Sequence, residues 1–347
     1  MAAGLDGFGL GQDLLFGYAL HVVNLAGVHL HALHELLLVI GLELPTALTF
    51  DSLLHLVSLS NPHELRGFAV SSRGPHQLPG RQVASSPAGF GESLEPVVLR
   101  IYLTGTVQVE LGQRLLSESQ LGGPQGRFVL TYLVTERERA VTQGELGEAL
   151  WSDTLPPSWA LALSAIVSRL RARLAGVGLP RNRIIGNAFG CYQFTPPGET
   201  WVDVEAALAA VDAAEGAIAA GKAQAAYGPS LIATTVLRRP FLTGQDGEWV
   251  EGRRAVLLSN LVRALDCRVE ALAANQELEL ALMHARDVVR LEPYRESSYR
   301  RLMRMLDRKG DRAEAVRVYL EFGRLLKQDL GVSPSAETEA LYREIAG

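Results

Sequence analysis

The fold of the middle of the chain is decided by the stretch SWALALSAIVSRLRARL, residues 158–174. Its apolar side chains recur at helical spacing, so one face of a helix would be apolar and would pack against a core. These side chains are Leu163, Ile166, Val167, Leu170 and Leu174. The stretch therefore predicts an amphipathic helix that begins after the break at Pro156 and Pro157.

The opposite side of this helix is polar and cationic. It carries Ser164, Ser168 and Arg169, and Arg171 and Arg173 lie at its flanks. A helix fits the major groove of B-DNA, and the arginine guanidinium pairs bidentately with guanine or with phosphate oxygens. This side predicts contact with double-stranded DNA, with the alternative that an arginine-rich outer face is only solvated.

The charge of the chain supports this prediction only when it is divided by region. A formal net charge of −5 speaks against a polyanionic partner. Residues 1–96 hold 3 basic residues and 8 acids, residues 97–203 hold 10 and 9, and residues 204–347 hold 20 and 21. Only the middle region is positive, and no Asp or Glu lies between Asp153 and Glu199. The predicted helix and its C-terminal neighbour therefore form a strongly basic segment.

A hairpin is predicted directly after this helix. Segments 183–185 and 192–194 have strand character and flank a glycine-bounded turn region at 186–190. Such a hairpin is the wing of a winged helix-turn-helix, and its base would reach the DNA backbone or a minor groove. The candidate contact residues here are Arg181, Arg183 and Asn187.

The segment before the DNA-contacting helix predicts the rest of this small domain. Short strands are expected at 98–103 and 106–109, and a helix is expected over 125–135. Thr142 and Glu145 have the spacing of a capping box, so a second helix is expected to run to residue 151. It would lie across the DNA-contacting helix as a brace.

The chain after residue 203 has an almost wholly helical pattern. Loop signals recur with a 34-residue offset, and Ala281 and Ala315 correspond in that register. This period is that of tetratricopeptide repeats, which stack helical hairpins. Pro229 falls inside an expected helix and puts the first hairpin in doubt. The predicted fold class is mainly α with a small β component: a winged helix-turn-helix at 96–203 and an α-helical tetratricopeptide-like repeat domain at 204–347.

Residues 1–95 differ from the rest and are expected to form a poorly defined N-terminal extension. They hold seven of the eight histidines and no lysine. Two interpretations stay open, namely a disordered extension and a wrongly assigned start. His31 and His34 lie one helical turn apart, but no cysteine or carboxylate is arranged with them, so a metal site is not favoured. The apolar run 14–48 is interrupted by polar residues and makes a poor membrane span.

Several classes of function are disfavoured by the sequence. Cys191 and Cys267 lie far apart without metal-binding spacing, which argues against a zinc site or a disulfide framework and fits a reducing cytoplasm. No Ser/His/Asp arrangement, paired carboxylates or nucleotide-binding loop is found. We therefore expect no enzymatic activity, no cofactor and no membrane partner.

Residues 97–203 resemble the winged helix of response regulators, as used in the Streptomyces antibiotic regulatory protein (SARP) family. The resemblance lies in four stretches, which are Leu121–Arg127, Leu146–Trp151, Ile166–Arg171 and Phe189–Phe194. It implies that Arg169 reaches bases and Arg171 phosphate, with Ser164 and Ser168 as lesser contacts. Residues Leu291–Glu296 and Leu326–Thr338 resemble the bacterial transcriptional activator domain of the same family.

This resemblance implies a DNA-binding transcriptional regulator, an activator that binds promoter direct repeats as a side-by-side homodimer and contacts RNA polymerase. The alternative is a protein-interaction scaffold whose winged helix is degenerate and does not bind DNA. It is motivated by positions where relatives often carry polar or basic side chains. These are Leu161, Ala162, Ala165 and Asn187.

Overall fold

The structure, a computed structural model, describes residues 98–152 and 154–347. These residues form one compact unit. Its strands are β1 Leu99–Tyr102, β2 Gln108–Leu111, β3 Arg114–Leu116, β4 Val141–Thr142, β5 Ile185–Ala188, β6 Cys191–Phe194 and β7 Thr200–Val202. Its α-helices are α1 Gly123–Thr135, α2 Gln143–Trp151, α3 Trp159–Gly176, α4 Asp203–Ala219, α5 Tyr227–Leu237, α6 Glu248–Ala274, α7 Leu278–Leu291, α8 Glu296–Lys309, α9 Arg312–Asp329 and α10 Ala336–Ala346.

The mainly helical fold class is confirmed. Two small sheets are formed by strands that precede the helical region in the sequence. The first sheet has the order β3-β2-β1-β7, in which β1 pairs antiparallel with β2 and parallel with β7. The second sheet has the order β4-β6-β5 and is antiparallel. Among the described residues beyond β7, the only β-type pairing is the single bridge between Thr104 and Phe241.

Helix α3 packs as its apolar periodicity predicts. All five residues of the predicted stripe are buried, and α3 lies against α1 and α2. Fully burying one such side chain stabilises a fold by roughly 1.5–3 kcal/mol. The stripe therefore holds α3 firmly on the domain and leaves its other face outward.

The start of α2 is stabilised by one half of the expected capping box. The Thr142 hydroxyl accepts a hydrogen bond from the Glu145 backbone N–H at 3.1 Å. The Glu145 carboxylate does not return to the backbone of Thr142, because it accepts from Tyr132 Oη at 2.9 Å and from Arg139. The reciprocal half of the box was wrongly expected, since a tertiary contact takes the carboxylate.

The wing is longer and its turn is tighter than the sequence indicated. We expected strands at 183–185 and 192–194 around a five-residue turn, but β5 and β6 leave only Phe189 and Gly190 between them. Both residues have positive φ, 51° and 74°, as in the two-residue turns that match the twist of a hairpin.

The helical region contains two hairpins, α7–α8 and α9–α10, in the expected register. Helices α7 and α9 begin 34 residues apart, at Leu278 and Arg312, and Ala281 and Ala315 are both fully buried. Pro229 lies in the first turn of α5, where a backbone N–H has no helical acceptor, so it does not break that helix. The doubt about the first hairpin, which α4 and α5 form, was unfounded.

An aromatic cluster joins the winged helix to the helical region. The Trp249 ring of α6 lies 4.5 Å from the Tyr132 ring and 5.6 Å from the Phe128 ring, both on α1. At its edge, Glu136 accepts a hydrogen bond from Trp249 Nε1 and pairs with Arg253. Burial alone would raise the pKa of Glu136, but these donors hold that pKa below its ordinary value. The two regions therefore share one core.

Asp203 is a second connection between the two regions, at the first residue of α4. Its carboxylate is fully buried and accepts from the backbone N–H groups of Leu103 and Thr104, at 2.8 and 3.0 Å, and from the Thr104 hydroxyl at 2.7 Å. Burial raises the pKa of Asp203 above its ordinary value, and these donors oppose that rise. The carboxylate fixes the end of β1 against the start of α4.

His284 lies in a cationic environment between α5 and α7. Arg238 Nη2 donates toward His284 Nδ1 at 3.1 Å, an arrangement that needs a free lone pair on that nitrogen. Burial, followed by the charges of Arg238 and Arg268, lowers the pKa of His284 to about 4, although Asp287 acts in the opposite direction. The imidazole is therefore neutral in the folded protein near pH 7.

The interpretations of residues 1–95, including the histidine pair and the apolar run, lie outside the described residues. No helix in the part of the chain that the structure describes is long and apolar enough to cross a membrane. The predicted boundary between residues 203 and 204 stays a prediction, since both sides belong to one compact unit.

Replacing Asp203 should destabilise the whole unit. Asp203→Asn keeps the side-chain volume but replaces an acceptor oxygen by a donor facing buried N–H groups, so we expect a loss of about 3 kcal/mol in the free energy of unfolding. Urea denaturation measures this. Asp212→Asn, at a carboxylate that is 72% exposed, is the control and should change stability by less than about 0.5 kcal/mol. Equal stability of both variants would contradict the role given to Asp203.

Stability should also fall on mild acidification because of His284. Its folded pKa of about 4 lies below the unfolded value of 6.5, so the unfolded chain binds the proton first. The contribution is complete above pH 6.5 and is lost as the pH falls toward 4, by about 2–3 kcal/mol. We expect His284→Gln to flatten the stability profile in this window, as measured by urea denaturation at successive pH values. An unchanged slope in the variant would show that other groups cause it.

Candidate nucleic-acid interface

The outward face of α3 presents four of the predicted contact residues. Ser164, Ser168, Arg169 and Arg173 are all exposed, and each lies four residues from another member of the set. Their side chains therefore share one side of the helix, opposite the buried stripe. This surface, together with the β5–β6 wing, is called the basic face below.

No carboxylate neutralises the basic face within the described residues. The five arginines of this segment form no ion pair there, unlike most arginines in the helical region. Asp153 lies outside the described residues. The arginines are Arg169, Arg171, Arg173, Arg181 and Arg183. A polyanion would thus meet cations that the fold has not already paired.

Arg171 differs from the other arginines because it also holds the wing. Its Nε donates to the backbone oxygen of Ile185 at 2.9 Å, and its Cζ lies 5.9 Å from the centre of the Tyr192 ring. The side chain is half-buried between α3 and the hairpin. Its Nε–H is bonded within the fold, and its terminal amino groups form no ion pair with a carboxylate among the described residues.

The remaining candidates lie at the base and on the edge of the wing. Arg181 and Arg183 are exposed in the connection between α3 and β5, where the backbone N–H of Arg183 bonds to Pro180. Asn187 is exposed in β5, opposite the buried Tyr192. The structure therefore brings all eight predicted residues to the surface formed by α3 and the wing.

Phe189 at the wing tip was missed by the sequence analysis. Its side chain is fully exposed, and its positive φ of 51° is a conformation that L side chains rarely adopt. The backbone of the turn is held in place, since Gln143 N donates to Gly190 O at 3.0 Å. A Phe-Gly pair between two strand-like segments was the available signal, and it was obscured by the longer turn that we expected.

The positions that motivated the scaffold alternative lie on or beside the same surface. Leu161 is 76% exposed in the first turn of α3, and Ala165 is exposed one turn later. Ala162 is half-buried, so it is less available to a ligand than its neighbours. This part of α3 is apolar rather than acidic, and it does not oppose the approach of a phosphate backbone.

The arginines of the helical region are mostly occupied by the fold. Arg300 pairs with Glu337 at 2.9 Å, Arg301 pairs with Asp266 at 2.5 Å, and Arg308 donates to the backbone of Ala273. The described residues contain no group of three or more His, Cys, Asp or Glu arranged to hold a metal ion. Neither feature competes with the basic face as a candidate site.

Comparison with known protein families identifies a family for the C-terminal part of the chain. Residues 202–346 match the family described as the bacterial transcriptional activator domain. The matched range begins at the end of β7 and ends with α10. It covers the two helical hairpins and the helices that contact the winged helix.

Similar proteins are regulators. The regulatory protein AfsR of Streptomyces griseus is 30% identical over 277 residues, which make up 78% of this chain and 26% of that protein. The transcriptional regulatory protein EmbR of Mycobacterium tuberculosis (strain ATCC 25618 / H37Rv) is 28% identical over 225 residues, or 65% of this chain and 58% of that protein. The chain thus spans about a quarter of the length of AfsR.

A solved structure is also similar. The structure of Mycobacterium tuberculosis EmbR in complex with a low affinity phosphopeptide superposes with a TM-score of 0.65 at 26% sequence identity. The match covers 72% of this chain and 65% of the EmbR chain. Residues 202–346 therefore match a bacterial transcriptional activator domain, and the chain is similar to regulators of the Streptomyces antibiotic regulatory protein type.

Proposed function

We propose that this chain binds double-stranded DNA through the basic face and regulates transcription. The observation that carries the proposal is the set of arginines on α3 and on its connection to the wing that no described carboxylate neutralises. Unpaired guanidinium groups gain most from a polyanion, because binding releases the counterions condensed on DNA. The regulatory names of AfsR and EmbR support the same assignment.

The arginines divide into two roles. Arg169 is central on the exposed face of α3, so it contacts base edges in the major groove, with Ser164 and Ser168 beside it. Arg171 contacts phosphate while its Nε keeps the wing against α3. The arginines at the periphery, Arg173, Arg181 and Arg183, contact the backbone, and Asn187 lies at the edge of a minor groove.

The finer partners follow from the family. The chain binds promoter direct repeats as a side-by-side homodimer, contacts RNA polymerase and acts as an activator in the cytoplasm. It uses no cofactor and performs no catalysis. The exposed apolar start of α3 contributes few polar base contacts, so phosphate contacts and DNA shape carry much of the binding free energy.

The double variant Arg169→Ala/Arg171→Ala should abolish specific binding. Both lost groups contact DNA in the proposal, so we expect an affinity at least about 100-fold lower. The salt dependence of the binding constant should be shallower by about one unit, because one phosphate contact is lost. The measurement is a gel-shift titration of the full chain with its own promoter region at several salt concentrations.

The matched control for this experiment is Arg304→Ala. Arg304 is an exposed arginine on α8, in the helical region. Its replacement removes one positive charge, as each substitution in the double variant does. The control should bind as the unsubstituted chain does. Unchanged binding by the double variant would contradict the site. A full chain that retains no genomic fragment even at low salt would favour the scaffold alternative.

Arg171 should have a structural effect that Arg169 lacks. Removing its bond to Ile185 frees the wing from α3, so we expect Arg171→Ala to speed amide hydrogen exchange in β5 and β6. Arg169→Ala should leave that exchange unchanged, because its side chain is exposed and forms no hydrogen bond to the hairpin within the described residues. Hydrogen-exchange mass spectrometry of the DNA-free protein measures the difference. Equal exchange in both variants would rule out the clamping role.

A further inference from the structure

We propose that Phe189 is an apolar wedge that enters the minor groove of DNA and partly unstacks a base step, so that the wing reads DNA deformability. The inference rests on the proposed DNA binding and deepens it, since it assigns a contact at the wing tip that the arginines do not supply. Three properties of Phe189 support this role, namely its exposure, its backbone conformation and its surroundings.

Within the described fold, no packing explains the apolar side chain of Phe189. Its side chain is fully exposed, at 104% of the reference value, whereas the flanking wing residues Tyr192 and Phe194 are buried. No ring contact involves Phe189 in the described residues, although seven aromatic pairs occur elsewhere in them. The phenyl group therefore gains its burial only when a ligand covers it.

The backbone of Phe189 points to the same conclusion. A φ of 51° is unfavourable for an aromatic residue, and turns of this geometry favour Asn or Gly at the first position. The turn is nevertheless fixed from both sides, through Gln143 N to Gly190 O and through the ladder of β5 and β6. Strain that the surroundings maintain at an exposed tip is typical of a functional contact.

The surroundings of the tip favour a nucleic acid over a protein. Asn187, Ala188 and Gly190 are exposed beside it, and none of them is acidic. Arg171 anchors the hairpin to α3, so the tip projects from a surface whose charges are arginines without described carboxylate partners. A polyanion is drawn to this surface first, and the tip then meets a groove rather than a hydrophobic protein patch.

The geometry of a hairpin tip suits the minor groove. Proteins that read this groove insert Phe, Leu, Ile, Met or Pro between base steps, which kinks the duplex at the most deformable steps. A two-residue turn is narrow, and a single phenyl group at its end is the only large apolar side chain at this tip. Selectivity would then favour pyrimidine–purine steps, which unstack most easily.

The test uses the full chain and a duplex recovered from a random pool by the unsubstituted protein. 2-Aminopurine is placed at successive positions of this duplex, because its fluorescence rises when it loses stacking. We expect the unsubstituted chain to raise the fluorescence at one step and Phe189→Ala to abolish the rise. The variant should bind about tenfold more weakly with an unchanged salt slope, since no phosphate contact is lost. Phe189→Leu should retain most of both effects.

A stability measurement separates this role from a folding defect. Phe189→Gly relieves the strained φ and removes no described packing, so its melting temperature should be at least that of the unsubstituted chain while its DNA binding is weaker. A lower melting temperature would show that the phenyl group packs on the fold and would overturn the proposal. The control is Leu330→Ala, at a side chain that is 54% exposed in the helical region, and it should leave binding and fluorescence unchanged.

The remaining outcomes are also decisive. Phe189→Ala with unchanged affinity and fluorescence overturns the wedge while the proposed function stands. A variant that loses only cooperativity between two adjacent sites overturns it as well, because the tip would then contact a second copy of the chain. A full chain that recovers no duplex at all removes the proposed function, and the wedge with it.

Discussion

The indole of Trp249 is the contact on which the arrangement of the molecule depends. It places the first turn of α6 against Tyr132 and Phe128 of α1, and α1 in turn packs on α3. The Glu136 carboxylate at the end of α1 reinforces this contact by accepting from Trp249 and pairing with Arg253. A winged helix and a repeat domain joined by a simple linker would turn freely. Here α3 and the helical region contribute to one hydrophobic core, so their relative orientation is fixed.

The local sequence pattern was sufficient to predict an element wherever one face of that element packs against the core. The stripe from Leu163 to Leu174 gave α3 its position because burial follows helical periodicity directly. The 34-residue spacing located α7 and α9, since each repeat must bury the same small residue against its neighbour. The outward positions of Arg169 and Arg173 were predicted in the same way, because residues opposite a buried stripe must face outward. Both kinds of prediction need only the spacing of residues within one element.

Contacts between residues far apart in the chain could not be predicted from the sequence. Asp203 had been placed at the end of the winged helix with no role, and its importance comes from the hydrogen bonds that it accepts from backbone groups about 100 residues away. Glu145 was expected to cap its own helix, but Tyr132 and Arg139 compete for its carboxylate. Phe189 was overlooked because its significance lies in the two-residue length of a turn, and that length is set by strand pairing. In each case a tertiary partner decided what the side chain does.

The distribution of paired charges explains how a chain with a net charge of −5 can present one site to a polyanion. In the helical region most arginines are paired with carboxylates, as with Arg301 against Asp266 and Glu270, so that surface has little net attraction for phosphate. On α3 and the wing the fold supplies no described carboxylate, and the field of each guanidinium extends into solvent. Screening limits that field to about 8 Å at physiological ionic strength. An approaching duplex therefore senses the basic face only at close range, and the acids elsewhere in the chain do not cancel it. The choice of the basic face over other surfaces by a polyanion therefore depends on the positions of the carboxylates as much as on those of the arginines.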